Sequence, residues 1–399
     1  MQLPGPARFA LLLAVCPFVS AQNPIGVRDV AWANPTGQGS GTLTARVLYP
    51  ATVAGSDAPL AASASGWPVV VFLHGFALVG NSYQALGTRW AERGFVVVLS
   101  NTAQFDNLRQ EDDGRALFAA LQAADVAPGG PFAGGLGLAR VALVGHSMGG
   151  GNVANVLADN PGYRCGFAFA PVPPRGGNGG LVTVPVGVVA GNGDGITPPN
   201  TNALPFYQSL TSFTELKLYY LLDGDATHTN LAGLFVGGAT GTAVFERASD
   251  VGLGFVRHAL DVDPTGLEAA LGPAALAEPR LVVCERSFAR ARTWAEASLA
   301  IGATVRVSVG VEPGPVGLGA ALAPLVAPVP TPFGDLRLDP AFAFVLQSGI
   351  VGPERRFDVG IDLPSDPTLL GAVVGLQAFG VSQALPIGLG GAIELPIGP

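Results

Sequence analysis

Val141-Ala142-Leu143-Val144-Gly145-His146-Ser147-Met148-Gly149-Gly150-Gly151 joins two kinds of sequence at one serine. The apolar run ending at Val144 has the continuity of a strand buried on both faces. The segment from Gly149 to Asp159 reads as a helix, stopped before Pro161. A G-x-S-x-G turn between strand and helix leaves no room for side chains at its flanks, which explains Gly145, Gly149 and Gly150. It also projects the Ser147 hydroxyl from the carboxyl edge of the sheet. Ser147 is therefore the candidate nucleophile.

Outward from this turn, strand and helix signals alternate between about residues 42 and 260. Thr42 to Tyr49 alternates like an edge strand. Val69 to Leu73 and Phe95 to Leu99 are apolar runs typical of buried strands, as is Arg140 to Gly145. Gly166 to Ala170, Val184 to Ala190 and Leu216 to Leu222 predict further strands. Helices are expected over Tyr83 to Arg93, Glu111 to Ala124 (with acidic residues in its first turn) and Ala243 to Leu260. Such alternation predicts an α/β architecture with a mostly parallel sheet.

A serine nucleophile needs a base, and the chain has 4 His. His146 lies inside the turn and should point away from Ser147. His74 ends an upstream strand, and His258 lies in the last helix as a surface or packing residue. His228 remains, in the polar loop Asp225-Ala226-Thr227-His228-Thr229-Asn230, after Ser147 as a Ser…Asp…His order requires. The acid that orients it is expected at Asp194, in Gly191-Asn192-Gly193-Asp194-Gly195 after the preceding strand. Asp223 and Asp225 are rivals, so close to His228 that Asx-type turns are the better account of them. The backbone N–H groups of Met148 and Phe76, the latter at the end of Phe72-Leu73-His74-Gly75-Phe76, supply an oxyanion site.

The 399 residues predict more than one domain. Charged residues are 13% of the chain and the formal charge is −8 without a basic block, which argues against a nucleic-acid partner. Arg8, the apolar run Phe9 to Val19 and the small residues Val19-Ser20-Ala21 predict a signal peptide over residues 1–21. The run is about half of a membrane span, so no membrane span is expected and the chain is placed outside the cytoplasm, in the periplasm, at the cell surface or secreted. After cleavage Cys165 and Cys284 remain, as one disulfide or two buried thiols.

The texture changes after Asp263. Asp263-Pro264-Thr265-Gly266 reads as a boundary, closing a catalytic unit over 22–263. Residues 264–278 read as a linker or short helix, and 279–399 as a β-rich module broken by Gly and Pro. Ser287 to Ala300 is ambiguous between helix and strand. Pro171 to Thr183 is too short and too rich in Pro, Gly and Asn to build a helical cap, so an open cleft is expected. A chain ending near Asp263 is expected to keep activity on small esters, leaving the module to bind a surface or polymer.

His74-Gly75-Phe76, Gly94-Phe95-Val96-Val97, Gly145 to Gly151, Ala170-Pro171 and the Asp194 and His228 loops resemble the α/β-hydrolase superfamily. Within it they are most similar to bacterial cutinase-like polyester hydrolases, the group that includes poly(ethylene terephthalate) hydrolases. Chlorophyllase-like and platelet-activating-factor-acetylhydrolase-like esterases are similar in the same regions. The resemblance covers roughly residues 65–260. It implies a serine carboxylic-ester hydrolase acting through an acyl-enzyme on small or polymeric esters. No metal or organic cofactor is expected, because the sequence has no Cys/His zinc spacing and no phosphate-cradling Gly loop after the first strand. Substrate contacts are implied at Phe76, Val172 and Ile196. Val172 stands where that group typically carries Trp, and the group's paired cysteines near the His loop are absent. A peptidase or amidase using the same residues, and a surface-binding protein with a degenerate hydrolase domain, are the alternatives.

Overall fold

The structure, a computed structural model, describes residues 23–382 and 386–399. The expected signal peptide lies outside the described residues. Among them, one large sheet is built from β1 (Ile25–Ala33), β2 (Thr42–Pro50), β3 (Gly55–Ser56), β4 (Trp67–Leu73), β5 (Val96–Ser100), β6 (Leu136–His146), β7 (Cys165–Phe169), β8 (Val186–Gly191), β9 (Leu216–Leu222) and β10 (Leu281–Phe288). Their order across the sheet is β10-β9-β8-β7-β6-β4-β5-β2-β1-β3. The central strands β5, β4, β6, β7, β8 and β9 are parallel. β2 and β1 continue the sheet antiparallel on one side, and β10 does so on the other.

Period-2 alternation sends apolar side chains to both faces. Val70 and Phe72 of β4 pack with α1 (Gln84–Ala91) and α5 (Gly238–Ala259) in one core. Val69, Val71 and Leu73 pack with α2 (Asn107–Val126), α3 (Met148–Asp159) and α4 (Ala203–Ser209) in the other. Helices on both faces explain why the central strands read as unbroken apolar runs. The parallel arrangement brings the ends of β4, β6, β8 and β9, and the loops that follow them, to one edge of the sheet.

Several expectations need correction. β2 is an interior strand, because the unexpected β1 covers its outer edge. α2 starts earlier than expected, where the Asp106 side chain accepts from Arg109 N at 3.0 Å; the acidic residues therefore fall after its first turn. α5 likewise begins ahead of Ala243.

The sheet also runs past the expected boundary. Leu281 to Phe288, assigned from sequence to the C-terminal module, pairs along β9 from Leu222 to Leu216. An apolar β9 with an open edge would be a liability, and β10 closes it. The short helices α6 (Glu268–Leu271) and α7 (Pro273–Leu276) form part of the same unit: Leu267, Ala270, Leu271, Phe288 and Trp294 belong to the core that contains α5, and Ala275 O of α7 accepts from Tyr220 Oη of β9. Cys165 on β7 and Cys284 on β10 are free thiols. With β8 and β9 between them, adjacent-strand spacing alone separates them by about 14 Å, beyond the roughly 7 Å a disulfide allows.

The ambiguous segment from Ser287 to Ala300 is extended, ending β10 and forming β11 (Arg292–Ala295) and β12 (Leu299–Ala300). β13 (Thr304–Gly310), β14 (Gly314–Ala321), β15 (Val329–Thr331), β16 (Gly334–Leu336), β17 (Phe344–Val351), β18 (Arg356–Asp362), β19 (Val373–Gly380) and β20 (Gly388–Gly398) complete the β-rich region. Its sheets are β11-β13-β18 and β12-β20-β19-β14-β17, with a separate β15-β16 ribbon. They enclose a core of their own around Val307, Val309, Leu318, Leu376 and Ile397.

Candidate functional site

Ser147 stands between β6 and α3 with φ 59° and ψ −119°. That backbone region is costly for a residue with a Cβ, on the order of 1–3 kcal/mol, and it lets the serine point out of the turn. The turn closes this tightly only because Gly149 has no side chain: a Cβ there would collide with the Leu73 carbonyl of β4. Ser147 N donates to Phe169 O at 3.0 Å, which locks the turn to β7.

His228 follows β9, and Asp194 follows β8. The ring nitrogen Nδ1 of His228 lies 2.8 Å from Asp194 Oδ2. Ser147, Asp194 and His228 are all buried, at 9%, 4% and 7% exposed. The rings of His228 and His146, the residue before Ser147, lie 4.5 Å apart, which puts His228 beside the turn. Asp194 Oδ1 accepts from Ile196 N and Thr197 N at 2.8 and 2.7 Å. Thr197 Oγ1 donates to Oδ2 at 2.8 Å. Burial works against ionisation of Asp194, but the bonds from His228 and Thr197 outweigh it and hold the carboxyl below the usual carboxylate range. An ionised carboxylate on Nδ1 leaves the opposite ring nitrogen free to act as a base.

The rival acids are placed otherwise. Asp223 Oδ1 accepts from Asp225 N at 3.2 Å, an Asx turn that shapes the loop before His228. His74 is fully buried, with Nε2 2.8 Å from Thr102 O. His258 is buried and accepts from Arg292 Nε at 3.2 Å, a packing role. His146 is also fully buried, and it bonds away from Ser147, to Tyr83 and to the His228 carbonyl.

The Gly75-Phe76 segment that follows β4 is pressed against the turn. A Cβ on Gly75 would lie 3.2 Å from Ser147 Cβ, tighter than ordinary van der Waals contact, so glycine eases this approach. Phe76 is 59% exposed and Ile196 69% exposed, apolar side chains on the segments that follow β4 and β8. Val172 is half-buried, with its N–H donating to Ser147 O at 3.2 Å. Pro171 to Thr183 contains one 3-10 turn, Asn178–Leu181, and no α-helix. A cleft of about 600 Å³, lined in part by Arg164, Glu215, His258 and Arg292, contains none of Ser147, Asp194 and His228.

Sequence reasoning missed Thr197, Tyr83 and Phe105. Thr197 had a local signal: Asp194-Gly195-Ile196-Thr197 is an Asx-turn pattern. Tyr83 had none, since the His146 ring it bonds at 2.8 Å is far away in sequence. Phe105 is exposed and meets Phe76 edge-on with ring centroids 5.6 Å apart.

The sequence profile of the PET hydrolase-like family matches residues 15–240. A bis(hydroxyethyl) terephthalate hydrolase of Streptomyces coelicolor is 33% identical over 211 residues, covering 52% of this chain and 61% of that protein. Cutinase 1 of Thermobifida cellulosilytica is 35% identical over 145 residues, 36% of this chain and 53% of its own length. A cutinase of Thermobifida fusca has the same identity over 145 residues, 36% of this chain and 46% of its own length. The chain thus spans about half the length of these relatives.

Proposed function

The chain belongs to the PET hydrolase-like family, and we propose that it is a secreted α/β-hydrolase that cleaves carboxylic esters, with Ser147 as nucleophile, His228 as base and Asp194 as the acid that orients it. The observation that carries this reading is the 2.8 Å contact from His228 Nδ1 to a buried Asp194, beside a serine held at φ 59°.

His228 Nε2 takes the Ser147 proton as Oγ attacks the ester carbonyl. The N–H groups of Phe76 and Met148 receive the oxyanion. Collapse expels the alcohol, which takes the proton from His228, and leaves an acyl-serine. Water, deprotonated by His228, then releases the acid and restores Ser147.

Phe76, Val172 and Ile196 form the substrate rim in this reading. Without a helical cap after β7, the cleft admits bulky and polymeric esters. Val172 offers no ring to clamp an aromatic unit, which favours aliphatic esters over aromatic polyester. Phe342, Phe344, Val345 and Ile350 are exposed on and beside β17, which suits an adhesive role for the C-terminal strands.

The test is hydrolysis of a panel of p-nitrophenyl esters, tributyrin, aliphatic and aromatic polyester films and a p-nitroanilide. Wild type should cleave the esters and label with a fluorophosphonate, and Ser147→Ala should do neither. Cleavage of the anilide in preference to esters would favour a peptidase or amidase. A folded wild-type protein that neither labels nor hydrolyses would favour a binding protein.

A further inference from the structure

We propose that Tyr83 and His146 are positioning residues, which hold the end of β4 that carries the oxyanion donor in register with the loop that carries His228. The proposal rests on the roles given above to Phe76 and His228.

The observation is a buried chain of hydrogen bonds with one possible direction. At one end the Gly75 N–H can only donate, and it does so to Tyr83 Oη at 2.9 Å. At the other end the His228 carbonyl can only accept, from His146 Nε2 at 2.8 Å. His146 therefore carries its proton on Nε2. Its Nδ1 lone pair accepts the Tyr83 hydroxyl proton at 2.8 Å. Both side chains are fully buried. Burial first, and the neighbouring His228 next, push the His146 pKa down to about 3, so the neutral tautomer that the chain requires persists at neutral pH.

This chain does what Asp194 alone does not. Asp194 fixes the His228 ring through Nδ1, while His146 fixes the main chain of the same residue. Gly75, at the other end, immediately precedes Phe76. A Cβ at Gly75 would lie 3.2 Å from each of His146 Nδ1, Ser147 Cβ and Tyr83 Oη, so the parts touch directly. Base and oxyanion donor come from segments far apart in sequence, and one network refers both to the residue before the nucleophile. A displacement of about 1 Å between such groups can lower a rate by about 100-fold.

The experiment compares Tyr83→Phe, His146→Leu, His146→Gln and the double variant Tyr83→Phe/His146→Leu on a soluble p-nitrophenyl ester. Tyr83→Phe keeps the ring packed 4.5 Å from Phe72. It should lower kcat by roughly 10- to 100-fold with KM little changed. Because the residues act as one chain, the double variant should lose no more than the worse single variant. His146→Gln keeps a side-chain N–H near the Nε2 position and should recover part of what His146→Leu loses. Unchanged kcat in Tyr83→Phe, a loss confined to KM, or losses that multiply in the double variant would overturn the proposal. If His146→Leu fails to fold, Tyr83→Phe decides alone.

A nitrogen-15 spectrum of the imidazoles separates this proposal from the assigned activity. It should show His146 as the neutral Nε2–H form, and the His228 signals should shift in Tyr83→Phe. A wild-type protein that hydrolyses no ester would overturn the proposed function, and the relay would then stand or fall on that spectrum.

Discussion

At Ser147 the backbone and the side chain make opposite demands. The hydroxyl must leave the turn, and the φ of 59° that allows it is unfavourable for any residue with a Cβ. Ser147→Ala should abolish ester hydrolysis, with a loss of several powers of ten, while leaving thermal stability near wild type. Ser147→Gly should be equally inactive yet more stable than Ser147→Ala, by about 1 kcal/mol. Equal melting temperatures for the two variants would show that the turn stores no strain.

Asp194 makes a second residue-scale claim. Asp194→Asn should cost far more activity than Asp223→Asn or Asp225→Asn, because Asp194 is the acid of these three that hydrogen-bonds the His228 ring. A larger loss at either rival would reassign the acid. The sign of the pH effect also follows: the folded-state pKa of Asp194 is lowered. Its stabilising contribution is present above the unfolded carboxylate pKa and is lost as pH falls through the lower folded value. Acid unfolding of wild type should therefore lose this contribution, and Asp194→Asn should show a shallower acid limb in denaturation curves against pH.

At the scale of elements, the ends of the parallel strands β4, β6, β8 and β9 bring the loops bearing Phe76, Ser147, Asp194 and His228 to one edge. The link from β7 to β8 decides access. It has the 3-10 turn Asn178–Leu181 but no α-helix, so nothing there can close over Ser147 as a helical lid. Rate against concentration for a short-chain ester should rise smoothly through the solubility limit. A sharp jump only above the micelle concentration would reveal a lid from elsewhere in the chain.

At the scale of the whole molecule, the catalytic sheet does not finish with α5. β10 covers the edge of β9, Tyr220 Oη donates to Ala275 O at 2.9 Å, and Trp294 Nε1 donates to Glu268 Oε2 at 3.2 Å. Fully buried Leu267, Leu271 and Phe288 contribute roughly 1.5–3 kcal/mol each, against a total stability of about 5–15 kcal/mol for an ordinary domain. A chain ending at Asp263 should therefore fail to fold, reversing the expectation from sequence. One ending at Arg290 should fold with a lowered melting temperature and retain activity on small soluble esters. Circular dichroism melts and p-nitrophenyl ester assays on both would settle this, and a soluble, active chain ending at Asp263 would refute it.

The sequence by itself determined the alternating elements and the serine turn, because burial on both faces and a tight strand–turn–helix leave local marks: apolar runs, and glycines at fixed offsets. It singled out His228 and Asp194 by chain order, with few histidines to choose from. Only the tertiary structure decided that β2 lies inside the sheet and that β10 belongs to it, since strand pairing is a long-range choice that neither strand records alone. Likewise, no local pattern marks Tyr83 or the second bond of His146. Their partners are far away in sequence, and a buried polar group is satisfied by whatever the fold brings beside it.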